Sequence, residues 1–257
     1  MHFVWRAIVV WLIVFAGCLL GAATQWILPA DHLAQAKVAI GSMQGLVILL
    51  LALVLGLLVW TSYGVYSQQQ TETQTLVSQI LQLDLALDHH GPEAERGRDL
   101  LKNELIETRE RFWGRDPHAN LLTYAQTRAE LRSMDRFFAG LTPTDDEQRH
   151  ALDTARQLSA SILETHYLMS RQLRNPLPAA LIVIVVCWAT FLFWCIGALS
   201  SLDALSLTVE TLGAAAVASA IFLILEFSQP YRAFFGIKPH GIDQVISALS
   251  AKARQAG

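Results

Sequence analysis

Charge is what this sequence has least of. Only 16% of its 257 residues are charged, where a soluble domain carries about 25%. Cysteine is scarce as well. Cys18, Cys187 and Cys195 all fall within apolar runs and form no CxxC pair, which speaks against a disulfide framework or a zinc site and leaves them as small apolar residues. There is no GxSxG, HExxH, P-loop or dinucleotide fingerprint, so nothing points to an enzyme. A net charge of −3 argues against a nucleic-acid partner.

Metal ligands are missing in the same sense. His118, His150 and His166 show no ligand spacing. His89 and His90 are adjacent, with Asp84 and Asp88 nearby, but neighbours on a helix point about 100° apart and do not readily share one ion. "TDDE" at 144–147 is too short for an EF-hand loop. No cofactor is expected.

What is present is apolar sequence in long blocks. Hydrophobic residues make up 53% of the chain, and the first block runs on past the length of a signal-peptide h-region. A spanning helix needs about 20 mostly apolar residues to cross a core of about 30 Å. Four segments qualify: Ala7–Leu28, Gly45–Tyr66, Leu177–Leu199 and Leu205–Phe227. Trp5, Trp26, Trp60, Tyr63, Tyr66 and Tyr231 lie near their ends, where amphipathic rings favour the headgroup zone. Trp11, Trp188 and Trp194 sit deeper and read as packing residues.

Orientation follows from the cations. With the amino terminus cytoplasmic, that side holds Arg6, Arg171, Arg174, Arg232 and Lys238, and the opposite side only Lys37. The positive-inside rule then places both termini and residues 67–176 in the cytoplasm of a cell-membrane protein with lipid as its surroundings. The expected divisions are 1–70 with transmembrane helices 1 and 2, 71–175 as a cytoplasmic helical region, 176–230 with helices 3 and 4, and 231–257 as a cytoplasmic tail.

The middle region reads as helix throughout. Leu76, Ile80, Leu83 and Leu87 recur at spacings of four, three and four, an amphipathic stripe that continues the second span without a break. Gly91 ends that helix and Pro92 begins the next, with Glu93 and Glu95 in its first turn, where the helix dipole favours acids. That helix runs to about Trp113, "GRDP" is a turn, and a third spans about Ala119 to Ala139 before Gly140. Thr142, Pro143 and the acidic "DDE" open a fourth, which ends near "RNP". The fold class is all-α: four transmembrane helices, with a cytoplasmic helical bundle inserted between the second and third.

Two carboxylates fall inside the fourth span. Glu226 sits one turn from its end, with Pro230 four residues on. An intramembrane charge is costly, so it either pairs at the interface with Arg171, Arg174 or Arg232, or faces the protein interior as a pore or coordination residue. Glu210 is its companion, about 24 Å away along the helix. Between them "GAAAVASA" offers small residues for close helix packing. The second span has Gln44 at its mouth and Thr61 and Ser62 at its inner end, a candidate pore entrance around an aliphatic stretch. Such a stretch either gates by dewetting or faces lipid or core.

Two stretches resemble a known family. "LVSQILQLDLALDHHGPEAERGRDLL" is similar to the "LD…YGPEA…R" signature, and "AIFLILEFSQPY" with "VISAL" to the fourth-span ending, of the family called bestrophin-like. The matching positions are Leu83, Asp84, Gly91, Pro92, Glu93, Ala94, Glu226 and Pro230. His90 replaces the usual Tyr and Ala233 the usual Gly. The second span has no Phe for an aromatic neck, and an acidic calcium clasp is missing. The resemblance implies bestrophin topology: a homo-oligomer, pentameric by family analogy, forming a channel for inorganic anions. The alternative is a membrane-anchored sensor or scaffold whose cytoplasmic bundle binds a partner.

Overall fold

The computed structural model describes residues 2–27, 30–114, 133–173, 179–200, 203–231 and 233–256. Among them the chain is helical and carries no strand. The helices are α1 (His2–Ile27), α2 (Ala30–His90), α3 (Glu95–Trp113), α4 (133–139), α5 (Asp146–Leu173), α6 (Ala179–Leu199), α7 (Ala204–Phe227) and α8 (His240–Ala256). Helices α1, α2, α6 and α7 are each long and apolar enough to cross a membrane. The "GRDP" turn beyond Gly114, the start of the helix expected from Ala119, Arg174 and Arg232 lie outside the described residues.

The chain divides into two compact units. One holds Met1–Tyr66, Leu177–Gln229 and Ala233–Phe235, and the other Ser67–Pro176, Pro230–Arg232 and Gly236–Gly257. Helix α2 contributes to both, because it is one helix of 61 residues. It begins fifteen residues before the apolar segment read from sequence, since "ADHLAQAKVAIGSMQ" contains no Pro and is rich in helix formers.

In the first unit, Val14 and Cys18 of α1, Leu51 and Leu58 of α2, Val185, Ala189 and Phe193 of α6, and Ala214, Ala218, Ile221 and Ile224 of α7 form one apolar core. Glycines set the α1–α6 distance. A Cβ on Gly21 would lie 2.0 Å from the Trp194 carbonyl oxygen, and one on Gly197 would lie 2.1 Å from that of Cys18. Only a missing side chain permits such an approach, the common device of helix pairs in lipid. The Gln25 amide then donates to the carbonyls of Gly197 and Ser200, at 2.8 and 2.7 Å, satisfying the end of α6. The small residues of α7 are only half used. Ala214 and Ala218 are buried, whereas Ala215, Ala216 and Ser219 are exposed, so this helix packs along one stripe rather than all round.

The second unit is a bundle around Leu76, Ile80, Leu83 and Leu87 of α2, Leu101, Leu105 and Phe112 of α3, Ile162 and Met169 of α5, and Ile242, Val245 and Leu249 of α8. Within each set the spacings are three, four or seven residues, one or two helical turns, which places them on one face. Gly91 stops α2 with φ +102°, a conformation that favours glycine. A short 3₁₀ turn, Pro92–Ala94, follows before α3. Asp145 of the acidic run caps α5: its carboxylate accepts the Gln148 amide at 2.7 Å, while Gln148 Oε1 accepts the Thr144 amide at 2.9 Å. This is capping-box logic moved back by one residue.

Candidate functional site

Glu226 is 1% exposed at the carboxyl end of α7. Its Oε1 accepts the backbone N–H of Phe235 at 2.9 Å, and its Oε2 finds no hydrogen-bond partner among the described residues. The carboxylate therefore folds the following loop back onto the helix. Pro230, which has no N–H, allows the chain to leave the helix in between, and its carbonyl accepts Ile237 N–H at 2.7 Å. Of the cations expected beside Glu226, Arg171 is exposed, and the other two lie outside the described residues. In the first unit the Tyr63 and Tyr66 rings pack on Phe227, at 5.7 and 5.4 Å between centroids.

Glu210 is also buried. Cys18 Sγ lies 2.8 Å from its Oε2 and donates to it, and two turns of α1 away Trp11 Nε1 donates to the Thr211 carbonyl at 3.4 Å. The thiol thus supplies a donor to an acid that α7 buries against α1.

Tyr231 departs from its expected place among the interfacial rings. It is buried in the second unit, against Phe112 and Trp113 at 5.1 and 4.9 Å. Its hydroxyl donates to Gln69 Oε1 at 2.5 Å and lies 3.4 Å from Thr73 Oγ1. Gln172 Nε2 donates to Glu72 Oε1 at 2.7 Å, and Gln69 is bonded to Gln172 as well. Burial holds the Tyr231 hydroxyl above its ordinary range and pushes the Glu72 carboxyl up. The sequence carried one signal for this network: Gln69 and Thr73 continue the Leu76–Leu87 stripe backwards at spacings of four and three.

The signature after the second span is a helical staple. Leu83 is buried in the core, Arg98 Nε lies 3.0 Å from Asp84 Oδ1 and also pairs with Asp88, and Ala94 N–H closes onto the Gly91 carbonyl at 3.0 Å. Arg98 thus bridges α2 and α3 across the Gly91 turn. Glu93 is exposed at that turn. His89 is exposed with Nδ1 2.7 Å from the Leu85 carbonyl, whereas His90 is buried and neither ring nitrogen has a hydrogen-bond partner among the described residues. The two imidazoles point apart. No group of three metal-ligating side chains occurs among the described residues.

His166 was not singled out by spacing. It is buried beside Phe112, with Nε2 3.3 Å from Thr108 Oγ1. Desolvation, with Arg111 adding repulsion, brings its pKa down to about 4, so at neutral pH it is an uncharged imidazole.

Along α2 the two halves of one exposed line differ in chemistry. Leu46, Leu50, Leu53 and Leu57 are exposed, then Thr61 and Gly64, then Gln68, Thr71, Thr75, Ser78 and Gln82. Each step is three or four residues and the mean is 3.6, so the line stays on one face of a straight helix. Only 11% of the most apolar window of α2 is buried, against 28% or more in each of the other three spans. Of the residues expected at a pore entrance, Gln44 is half-buried and Thr61 lies on this line, whereas Ser62 is buried and bonds the Leu58 carbonyl.

A family model for the bestrophin-like domain matches residues 10–242. No curated protein matches the chain. A solved structure of a point variant of a bacterial bestrophin homologue from Klebsiella pneumoniae is similar at TM-score 0.64 and 16% identity, covering 97% of each chain. Another structure of that homologue is similar at TM-score 0.57 and 17% identity over 96% of each chain. A structure described as a membrane protein is similar at TM-score 0.62 and 16% identity, over 96% of this chain and 95% of that one. At such identities the likeness is one of fold.

Proposed function

The chain belongs to the bestrophin-like family, and on that premise we propose that it is the subunit of a homo-oligomeric anion channel that conducts passively. Family membership and the bestrophin fold make it an anion-channel-like multi-pass membrane protein; the assembly and the conduction are the proposal. The observation that carries it is the exposed line on α2. Its membrane part is aliphatic and its continuation as far as Gln82 is uncharged and polar. Around an axis, the leucines make a narrow apolar constriction of the kind that gates by dewetting, and the hydroxyls and amides beyond make a wet lining without fixed charge. Such a lining offers hydrogen-bond donors to a partly dehydrated anion and no charge that traps it. In this reading both termini and residues 67–176 are cytoplasmic, as the cation count suggests.

The test is reconstitution of the full chain in planar bilayers under a chloride gradient. Currents whose reversal potential follows chloride support the reading; folded, electrically silent protein overturns it. Cysteines placed at Ser78 and Thr144 should react with an impermeant reagent only from the cytoplasmic side. A detergent particle that is a dimer with a stoichiometric soluble partner, rather than a ring, would replace the channel with a scaffold.

A further inference from the structure

α7 ends at Phe227, and seven and eight residues later the chain presents two exposed apolar side chains. Phe234 is 84% and Phe235 52% exposed, with their rings packed edge to face at 5.2 Å. Both belong to the same compact unit as the four apolar helices. Their backbone is fixed there. Ala233 N–H donates to the Gln229 carbonyl at 3.2 Å, and Phe235 N–H donates to the buried Glu226 carboxylate in the last turn of α7. The pair is therefore held at the level where the apolar helix stops.

That level is marked a second time. Tyr63 packs on Phe227, and Trp60 and Tyr63, at the end of the aliphatic stretch of α2, are themselves exposed. Rings gathered at the end of spanning helices are the mark of the membrane interface. Tyr and Trp carry a polar group suited to the headgroups. Phe carries none, so two exposed phenyl rings fit the acyl side of that boundary and are poorly placed in water.

We propose that Phe234 and Phe235 form a membrane anchor, inserted at the boundary of acyl chains and headgroups in the leaflet where α7 ends, with Glu226 holding the loop in place. Lipid is the occupant that the position favours, because the pair continues the apolar surface of α7 at the level of Trp60 and Tyr63. The proposal is independent of whether the protein conducts.

The test places 4-fluorophenylalanine at position 234, and in a separate sample at 235, of the full chain in phosphatidylcholine vesicles. Fluorine relaxation is then compared with dissolved oxygen, which concentrates in lipid, and with a water-soluble gadolinium chelate. Oxygen should dominate at 234. Dominance of the chelate means that the rings face water, and protection from both reagents means that a second copy or another part of the chain covers them; either overturns the anchor. Glu226→Ala, checked for folding by its melting transition, should lower the oxygen-to-chelate ratio at 234. An unchanged ratio in folded protein would refute the holding role of Glu226, and the measurement on the unsubstituted chain decides the anchor even where that variant does not fold.

Discussion

Glu226 and Phe235 are joined by a hydrogen bond of 2.9 Å from the backbone amide to the carboxylate, across nine positions of chain. A charged side chain at the end of an apolar helix thus has a main-chain partner, and the acceptor matters more than the charge. Glu226→Gln keeps that acceptor, and the oxygen it replaces has no hydrogen-bond partner among the described residues. Its stability should stay within about 1 kcal/mol of the parent. Glu226→Leu removes the acceptor of the half-buried Phe235 amide and should cost about 1–3 kcal/mol, with Glu226→Lys worse because it buries an ammonium. Melting of the three variants in detergent checks the order. Equal stability for all three, with altered ion preference, means that Glu226 belongs to the conduction path instead.

Gly21 meets the Trp194 carbonyl too closely for any side chain. Gly21→Ala should therefore force α1 and α6 apart and lower stability by about 1–3 kcal/mol. Gly56 has nothing within 4 Å, so Gly56→Ala should remain within about 0.5 kcal/mol of the parent. Comparable losses in both would show that the α1–α6 approach is not tight.

His166 ties stability to pH. Its pKa falls from 6.5 to about 4 on burial. Between those values the unfolded chain binds a proton that the folded one does not, so stability is full above pH 6.5 and drops as pH falls towards 4, by about 1.4 kcal/mol per unit. Glu72, raised by burial, acts in the opposite direction near the ordinary carboxylate range. The informative quantity is therefore the difference between parent and His166→Gln, which should shrink as pH goes from 7 to 5. A constant difference means that His166 does not titrate in this way.

Thr75 is exposed on α2 in the middle of the uncharged line. A carboxylate there repels anions in a confined lining, so Thr75→Glu should reduce chloride current severalfold without changing the melting temperature. Glu95→Gln, at an exposed position in the first turn of α3, serves as the control for surface charge. An unchanged current in Thr75→Glu places the conduction path elsewhere.

Much of the fold was legible in the sequence because it depends on local pattern. Apolar run length marked four spanning helices, and the 3.6-residue period marked Leu76, Ile80, Leu83 and Leu87, all of which the structure buries. Gly91 and Trp113 bounded elements because backbone conformation and periodicity are properties of near neighbours in the chain. The family signature around Asp84 and Gly91 was equally visible, though its meaning as a staple needed Arg98 to come round onto Asp84.

Partners distant in sequence were another matter. Tyr231 near the end of a span has the composition of an interfacial ring, yet it lies in a hydrogen-bonded core with Gln69, 162 positions away. Glu226 had three cations within plausible reach by sequence, and the partner observed is an amide that every residue but proline carries. His166 looks like any helical histidine until the structure surrounds it. Period and run length report which face of a helix is apolar. Which buried polar atom meets which other is set by the tertiary packing, because each pairing depends on the positions of two helices at once and desolvation makes an unmatched group costly.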